Sequence, residues 1–106
     1  MKLLCFFDLP MVDNKDKRIY RIFRKKIMKE GFVMVQFSVY VKACPNRESI
    51  LQESKFIKKI CPKYGNVRLL TITEKQYDDI EIIIGTKSLR ERMGTGQGLI
   101  ILWKYQ

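Results

Sequence analysis

Asp8 is the residue of this sequence best placed to do chemistry. It follows the apolar run of residues 3–7 and stands two positions before Pro10. A run of this length bounded by proline predicts a buried strand, which ends where proline cannot donate a ladder hydrogen bond. A charge left without a partner in an apolar core is costly, so this carboxylate requires one. The sequence therefore predicts an acidic site at the C-terminal end of the first strand.

The chain contains no histidine, which excludes an imidazole base and histidine metal ligands. Asp8 is therefore the leading candidate for both catalysis and metal binding, and Mg²⁺ is the expected ion. One carboxylate makes a poor Mg²⁺ site, because this ion prefers several oxygen ligands. Two copies of Asp8 meeting across a two-fold axis would make a better site for an ion that activates water. The alternative is that Asp8 caps a backbone turn beside Pro10.

The net charge is strongly positive, with 21 Lys and Arg against 11 Asp and Glu in 106 residues. Such a surplus favours a phosphate backbone as partner, because neutralised phosphates release counterions. Asp13 predicts the start of a helix that ends before Gly31, and this helix concentrates positive charge opposite an apolar stripe. The alternative is a solvated basic face. The cations expected to contact nucleic acid are Lys17, Arg18, Arg21, Arg24, Lys25 and Lys29.

Residues 32–42 alternate between two faces with the period of a strand. One long strand and two short strands with a bend near residues 36–38 fit this pattern equally well. The polar side chains of one face are candidates for a ligand site or a dimer contact. They are Gln36, Ser38 and Tyr40.

The rest of the chain predicts further elements in alternation. A second helix starts at Asn46 and ends before Pro62, a strand covers residues 67–72, and Thr73 with Gln76 predicts a capping box for one helical turn. The pattern further predicts a strand over residues 80–85, a loop over residues 87–98 and a last strand over residues 99–103. If residues 32–42 bend, the order is that of an α+β, ferredoxin-like βαββαβ sandwich with both helices on one face. Residues 1–106 would form this single domain, with residues 85–106 as a C-terminal extension of loop and edge strand.

The cysteines indicate a reducing compartment. Cys5, Cys44 and Cys61 are odd in number and show no CxxC spacing. The sequence also has no recognisable signal peptide and no run long enough to cross a membrane. We therefore expect a cytoplasmic protein without membrane contact.

Three segments together resemble a known family. They are FFDLP at residues 6–10, VQFSVY at residues 35–40 and GNVR at residues 65–68. The chain resembles the Cas-two family, the smaller of the two proteins shared by CRISPR spacer-acquisition systems, over residues 2 to about 85. The segment TITEKQ at residues 71–76 is similar to the version found beside the large RNA-guided nuclease of type II systems.

The resemblance implies a ferredoxin-like homodimer in which paired Asp8 side chains bind Mg²⁺. It also implies a complex with the Cas-one integrase that supports duplex DNA, and a metal-dependent endonuclease activity on RNA or duplex DNA. Many members have Tyr where this chain has Phe7, and some have Arg where it has Met34, so polar groups are missing from the expected cleavage site. A purely non-catalytic DNA scaffold and a toxin-like small endoribonuclease of related fold remain as alternatives.

Overall fold

Four antiparallel strands and three helices make up the computed structural model, which describes residues 1–86. The sheet has the order β2-β3-β1-β4, and each neighbouring pair is antiparallel. This arrangement confirms the predicted α+β, ferredoxin-like fold. The elements in chain order are β1 (Lys2–Asp8), α1 (Asn14–Lys29), β2 (Val33–Gln36), β3 (Val39–Ala43), α2 (Arg47–Ile60), β4 (Asn66–Ile72) and α3 (Glu74–Asp78).

The helix boundaries follow from local capping, as the sequence predicts. The Asp13 side chain accepts a hydrogen bond from the backbone N–H of Asp16 at 2.8 Å, and Asn46 accepts one from Ser49 at 2.9 Å. Each bond satisfies a donor that the first turn of a helix leaves free. At α3 a complete capping box is present. The predicted helix starts are confirmed. They could be predicted because a cap depends only on residues close in sequence.

The core lies between one face of the sheet and the two long helices. Alternate residues of β1 point into it, while α1 and α2 contribute their apolar stripes. Three apolar residues of this region are exposed: Ile22 of α1, Leu51 of α2 and Cys61 at the end of α2. They lie at the margins of the stripes, where 3.6-residue periodicity no longer directs a side chain towards the sheet. The main buried side chains are Leu3, Cys5, Phe7, Tyr20, Phe23, Ile27, Tyr40, Ile50 and Ile57.

Residues 32–42 form a hairpin, so the two-strand alternative is confirmed. Ser38 adopts a left-handed backbone conformation with φ of 64°, and the register shifts between Met34 and Gln36. The chain therefore reverses direction, and strict alternation does not continue through the turn. Tyr40 is consequently buried in the core, whereas Gln36 is exposed. The prediction that Gln36, Ser38 and Tyr40 share one face is wrong.

Within residues 1–86, α3 lies over the second face of the sheet near the start of β1. There the Lys2 ammonium group lies 5.2 Å from the centroid of the Tyr77 ring and forms an ion pair with Glu74. The rest of this face, which we call the open face, carries side chains from β1, β3 and β4. Leu4, Val41 and Leu70 lie on this face. In the strand register, Leu4 of β1 is directly opposite Val41 of β3 and Leu70 of β4, and residues directly opposite each other point to the same face.

The strand predicted over residues 80–85 is wrong for the described chain, where this segment is irregular. Its isoleucines are exposed, and it pairs with none of the four described strands. A strand requires a partner ladder, which periodicity alone cannot supply. The predicted loop at 87–98 and last strand at 99–103 lie outside the described residues. None of the helices within residues 1–86 is long and apolar enough to cross a membrane.

Candidate acidic site and basic helix face

Asp8 ends β1 on the open face of the sheet. Phe7 points into the core, and successive side chains of a strand point to opposite faces, so the Asp8 carboxylate points away from the helices. It is exposed and lies opposite Asn66 of β4 in the strand register. Within residues 1–86 it has no hydrogen-bond or ion-pair partner, so it does not cap the turn at Pro10.

The backbone around Asp8 is held from both sides. The Phe7 N–H donates to the Ser38 carbonyl oxygen at 3.1 Å, which ties the end of β1 to the hairpin turn. On the other side, Gly65 adopts φ of +89°, and a Cβ atom there would lie 2.6 Å from the Asp8 carbonyl oxygen. Only glycine permits this close approach without a shift of the backbone. Asp8 therefore occupies a defined position at the end of the sheet.

A groove of about 420 Å³ contains Asp8. Ser38 and Asn66 contribute neutral oxygen atoms to it, Arg68 contributes a cation, and the ring of Phe37 forms part of its wall. Asn66, Arg68 and Phe37 were not among the site residues predicted from the sequence. The proximity of Asn66 and Arg68 to Asp8 follows only from the strand register, which places Asn66 opposite Asp8 and Arg68 opposite Phe6. The complete lining is Phe6, Phe7, Asp8, Phe37, Ser38, Val39, Asn66 and Arg68.

The oxygen atoms of this groove fit part of a magnesium site. One carboxylate, one hydroxyl and one amide carbonyl are hard ligands of the kind that Mg²⁺ accepts together with water. No group of three or more His, Cys, Asp or Glu side chains in the described part of the chain could hold a metal ion. Within residues 1–86, Asp8 is the carboxylate that lines this groove. Arg68 adds positive charge, which suits a bound phosphate better than a cation.

The three predicted hairpin residues have separate roles. Ser38 lines the Asp8 groove, whereas Gln36 lines a different groove of about 330 Å³ together with Val35, Tyr77 and residues 80–86. The buried hydroxyl of Tyr40 accepts a hydrogen bond from Arg24 Nε at 2.8 Å. Burial raises the pKa of Tyr40, and the Arg24 guanidinium group partly opposes that rise. Tyr40 is therefore a core residue that holds Arg24.

The outward face of α1 carries the positive charge that the sequence predicts. Tyr20, Phe23 and Ile27 are its buried residues, so the opposite side faces solvent. Arg24 departs from the prediction in part, because it is half-buried against Tyr40. The other predicted cations are exposed and form what we call the basic helix face: Lys17, Arg18, Arg21, Lys25 and Lys29.

The sheet order, the acidic strand end and the basic helix face define a small, basic protein of ferredoxin-like fold. Residues 1–80 match the family described as CRISPR associated protein Cas2. The chain belongs to this family, which confirms the resemblance found in its sequence motifs.

Curated relatives match along most of their length. A CRISPR-associated endoribonuclease Cas2 of Treponema denticola is 44% identical over 105 residues, covering 96% of this chain and 100% of the relative. The protein of the same name from Ligilactobacillus salivarius is 40% identical over 102 residues, with 96% and 100% covered. A third, from Campylobacter jejuni, is 38% identical over 101 residues, with 95% of this chain and 71% of the relative covered.

Proposed function

We propose that this chain is a nucleic-acid-binding protein of CRISPR adaptation. Two copies would hold duplex DNA on their basic helix faces as the central dimer of a spacer-integration complex with the Cas-one integrase. The observation that supports this function best is the clustering of exposed cations on one side of α1. Family membership supplies the CRISPR context.

The spacing of these cations suits a phosphate backbone. Lys17, Arg21, Lys25 and Lys29 follow one another at intervals of four residues, so they form a row with steps of about 6 Å along the helix. Asp16 is the acidic residue of its first turn, and no acid interrupts the row itself. Contacts of this kind fix the position of a duplex and release counterions without reading its sequence.

Charge reversal tests the basic helix face. Arg21→Glu with Lys25→Glu removes two exposed cations and leaves the Arg24–Tyr40 hydrogen bond intact. Lys58→Glu with Lys59→Glu on α2 changes net charge equally and serves as the matched control. We expect the α1 pair to weaken duplex binding more than the α2 pair does. The slope of log K against log salt concentration should also become shallower by about 2, which corresponds to two lost phosphate contacts. Equal effects of both pairs would contradict the proposal.

A homodimer would cover the apolar residues left on the open face. Leu70 is 49% exposed there, and Ile80, Ile82 and Ile83 are exposed in the segment after α3. We expect Leu70→Asp to dissociate the dimer in analytical ultracentrifugation. Leu51→Asp on α2, where the side chain is 55% exposed, should leave the dimer intact. A wild-type monomer at micromolar concentration would contradict this arrangement.

A second candidate function is metal-dependent hydrolysis of RNA at paired Asp8 side chains. It is favoured by the exposed position of Asp8, which has no ion-pair partner within residues 1–86, and by the endoribonuclease name of the relatives. Bound Mg²⁺ would supply an activated water molecule as nucleophile. Arg68 would bind the phosphate, while Ser38 and Asn66 would orient it by hydrogen bonds. The groups missing at Phe7 and Met34 do not affect the DNA-holding function.

A further inference from the structure

The ring of Phe37 is unusually exposed for an aromatic side chain, at 73%. It lies in the turn between β2 and β3 and forms part of the wall of the Asp8 groove. Single exposed apolar side chains are common on protein surfaces, so exposure alone does not indicate a site. Phe37 differs because its ring contacts an aromatic neighbour and stands beside charged and polar groups that suit a nucleotide.

An aromatic stack supports the Phe37 ring from below. Its centroid lies 6.0 Å from that of Tyr20, with an angle of 23° between the planes. Tyr20 in turn contacts the buried ring of Phe7 at 5.9 Å, and Phe7 stacks on Tyr40 at 5.7 Å. Phe37 is thus the solvent-exposed end of a series of ring contacts that continues into the core. Most of its surface is available to a ligand.

The turn also fixes the backbone of Phe37 relative to Asp8. Ser38, the next residue, adopts a left-handed conformation, and its carbonyl oxygen accepts the hydrogen bond from Phe7 N–H at 3.1 Å. The backbone beside Phe37 is therefore joined directly to the backbone beside Asp8. A ring ordered in this way loses little conformational freedom when a flat ligand stacks on it.

We propose that Phe37 is a stacking platform for an unpaired nucleobase of a single-stranded nucleic acid that enters the Asp8 groove. This role of Phe37 depends on the nucleic-acid-binding function proposed above. Every nucleobase offers a flat π face, and proteins that bind single strands combine such faces with aromatic side chains and nearby cations. Arg68 provides the cation for the adjacent phosphate, and Asp8 lies in the same groove. A base paired within a duplex cannot reach the ring, so this surface selects single strands.

Binding measurements on a short single-stranded RNA, and on a DNA strand of the same sequence, test this assignment. Phe37→Ala removes the ring and Phe37→Leu retains apolar volume without a π face. Tyr64→Ala is the matched control, because Tyr64 is exposed at 69% and lies outside the Asp8 groove. We expect both Phe37 variants to lose affinity for the single strands on the order of tenfold. Tyr64→Ala should bind them like the wild type.

Fluorescence gives a readout specific to stacking. A strand carrying 2-aminopurine should be quenched by the wild type and by Phe37→Trp, but not by Phe37→Leu. Unchanged single-strand affinity in Phe37→Ala, with duplex binding intact, would overturn the stacking role and leave the function proposed above standing. Failure of the wild type to bind any nucleic acid would instead overturn that function. A Phe37→Ala variant that loses only the dimer would assign the ring to a subunit contact and overturn the stacking role as well.

Discussion

Gly65 lies directly against the backbone of Asp8. Gly65 immediately precedes β4 and Asp8 ends β1, and a Cβ atom on Gly65 would come within 2.6 Å of the Asp8 carbonyl oxygen. Gly65 also adopts φ of +89°, where side chains other than hydrogen are strained. The candidate acidic site is thus positioned by a residue with no side chain of its own.

Replacing Gly65 should therefore destabilise the fold and move Asp8. We expect Gly65→Ala to lower the free energy of unfolding by about 2–4 kcal/mol, because it adds a backbone clash to a strained φ. Gly31→Ala is the control, since Gly31 has φ of +111° but a Cβ there would meet only the flexible Lys42 side chain at 3.3 Å. Urea unfolding of both variants measures the difference, and equal losses would contradict this explanation.

The nuclease candidate makes a separate prediction about Asp8. Asp8→Asn should reduce Mg²⁺-dependent cleavage of single-stranded RNA by about a hundredfold or more, because the metal and the activated water would lose their ligand. Affinity for duplex DNA should stay unchanged. Asp78→Asn removes an exposed acid from α3 and should affect neither property. Cleavage that survives in Asp8→Asn, or a wild type that cuts no RNA, would exclude the nuclease and leave the DNA-holding function.

Two buried tyrosines should respond differently to loss of their hydroxyl groups. The Tyr40 hydroxyl accepts the hydrogen bond from Arg24, whereas the buried Tyr20 hydroxyl has no partner among the described residues. We expect Tyr40→Phe to cost about 1–2 kcal/mol, because Arg24 is left partly buried without an acceptor. Tyr20→Phe should be neutral or slightly stabilising. Chemical denaturation measures both, and a larger loss in Tyr20→Phe would be the contrary result.

A carboxylate pair around Lys42 should give the protein a pH-dependent stability. Lys42 Nζ lies 2.7 Å from Glu53 Oε2 and 3.9 Å from Glu30 Oε2, while the buried Glu53 Oε1 has no donor when both acids are ionised. Protonated Glu30 can donate a hydrogen bond to the Glu53 carboxylate. The hydrogen bond with Glu53 therefore raises the pKa of Glu30 above its ordinary value of 4.5, with burial and repulsion from Glu53 acting in the same direction and Lys42 opposing them.

The sign of the effect follows from the raised pKa. The folded chain holds the proton more tightly, so this stabilisation is complete below pH 4.5 and decreases as pH rises through the raised pKa of Glu30. Glu30→Gln keeps a donor at every pH, and its free energy of unfolding should change less across this interval than that of the wild type. Glu81→Gln, in the exposed segment after α3, should follow the wild-type curve. Parallel curves for Glu30→Gln and wild type would contradict the shared proton.

Local signals in the sequence predicted the helix starts and the end of β1 correctly. Asp13, Asn46 and the Thr73–Gln76 pair act on neighbours within one turn, so no knowledge of the tertiary fold is needed. The hairpin could not be resolved in this way. Its turn, Phe37-Ser38, contains no glycine or asparagine, which are the residues that usually indicate a left-handed conformation. The exposure of Phe37 depends on that turn.

The composition of the acidic groove required the strand register. Asn66 and Arg68 lie far from Asp8 in sequence, and only the pairing of β1 with β4 brings them together. The prediction of a strand at residues 80–85 was wrong for a related reason, because strand formation depends on a partner outside the segment. The roles of Asp8 and of the α1 cations in binding stay predictions, since burial and geometry do not test binding.

The two long helices pack on one face of the sheet, and Asp8 points from the other. Duplex DNA has a persistence length of about 150 base pairs, so over a chain this small it behaves as a straight rod. In the proposed complex, such a rod would lie along the basic helix face of one copy and would not bend around the sheet to reach the carboxylate of that copy. A single strand, whose backbone rotates freely, can turn that corner past Phe37. The layered architecture would therefore distinguish duplexes from single strands by their stiffness: only a flexible strand would reach the Asp8 groove, whatever its base sequence.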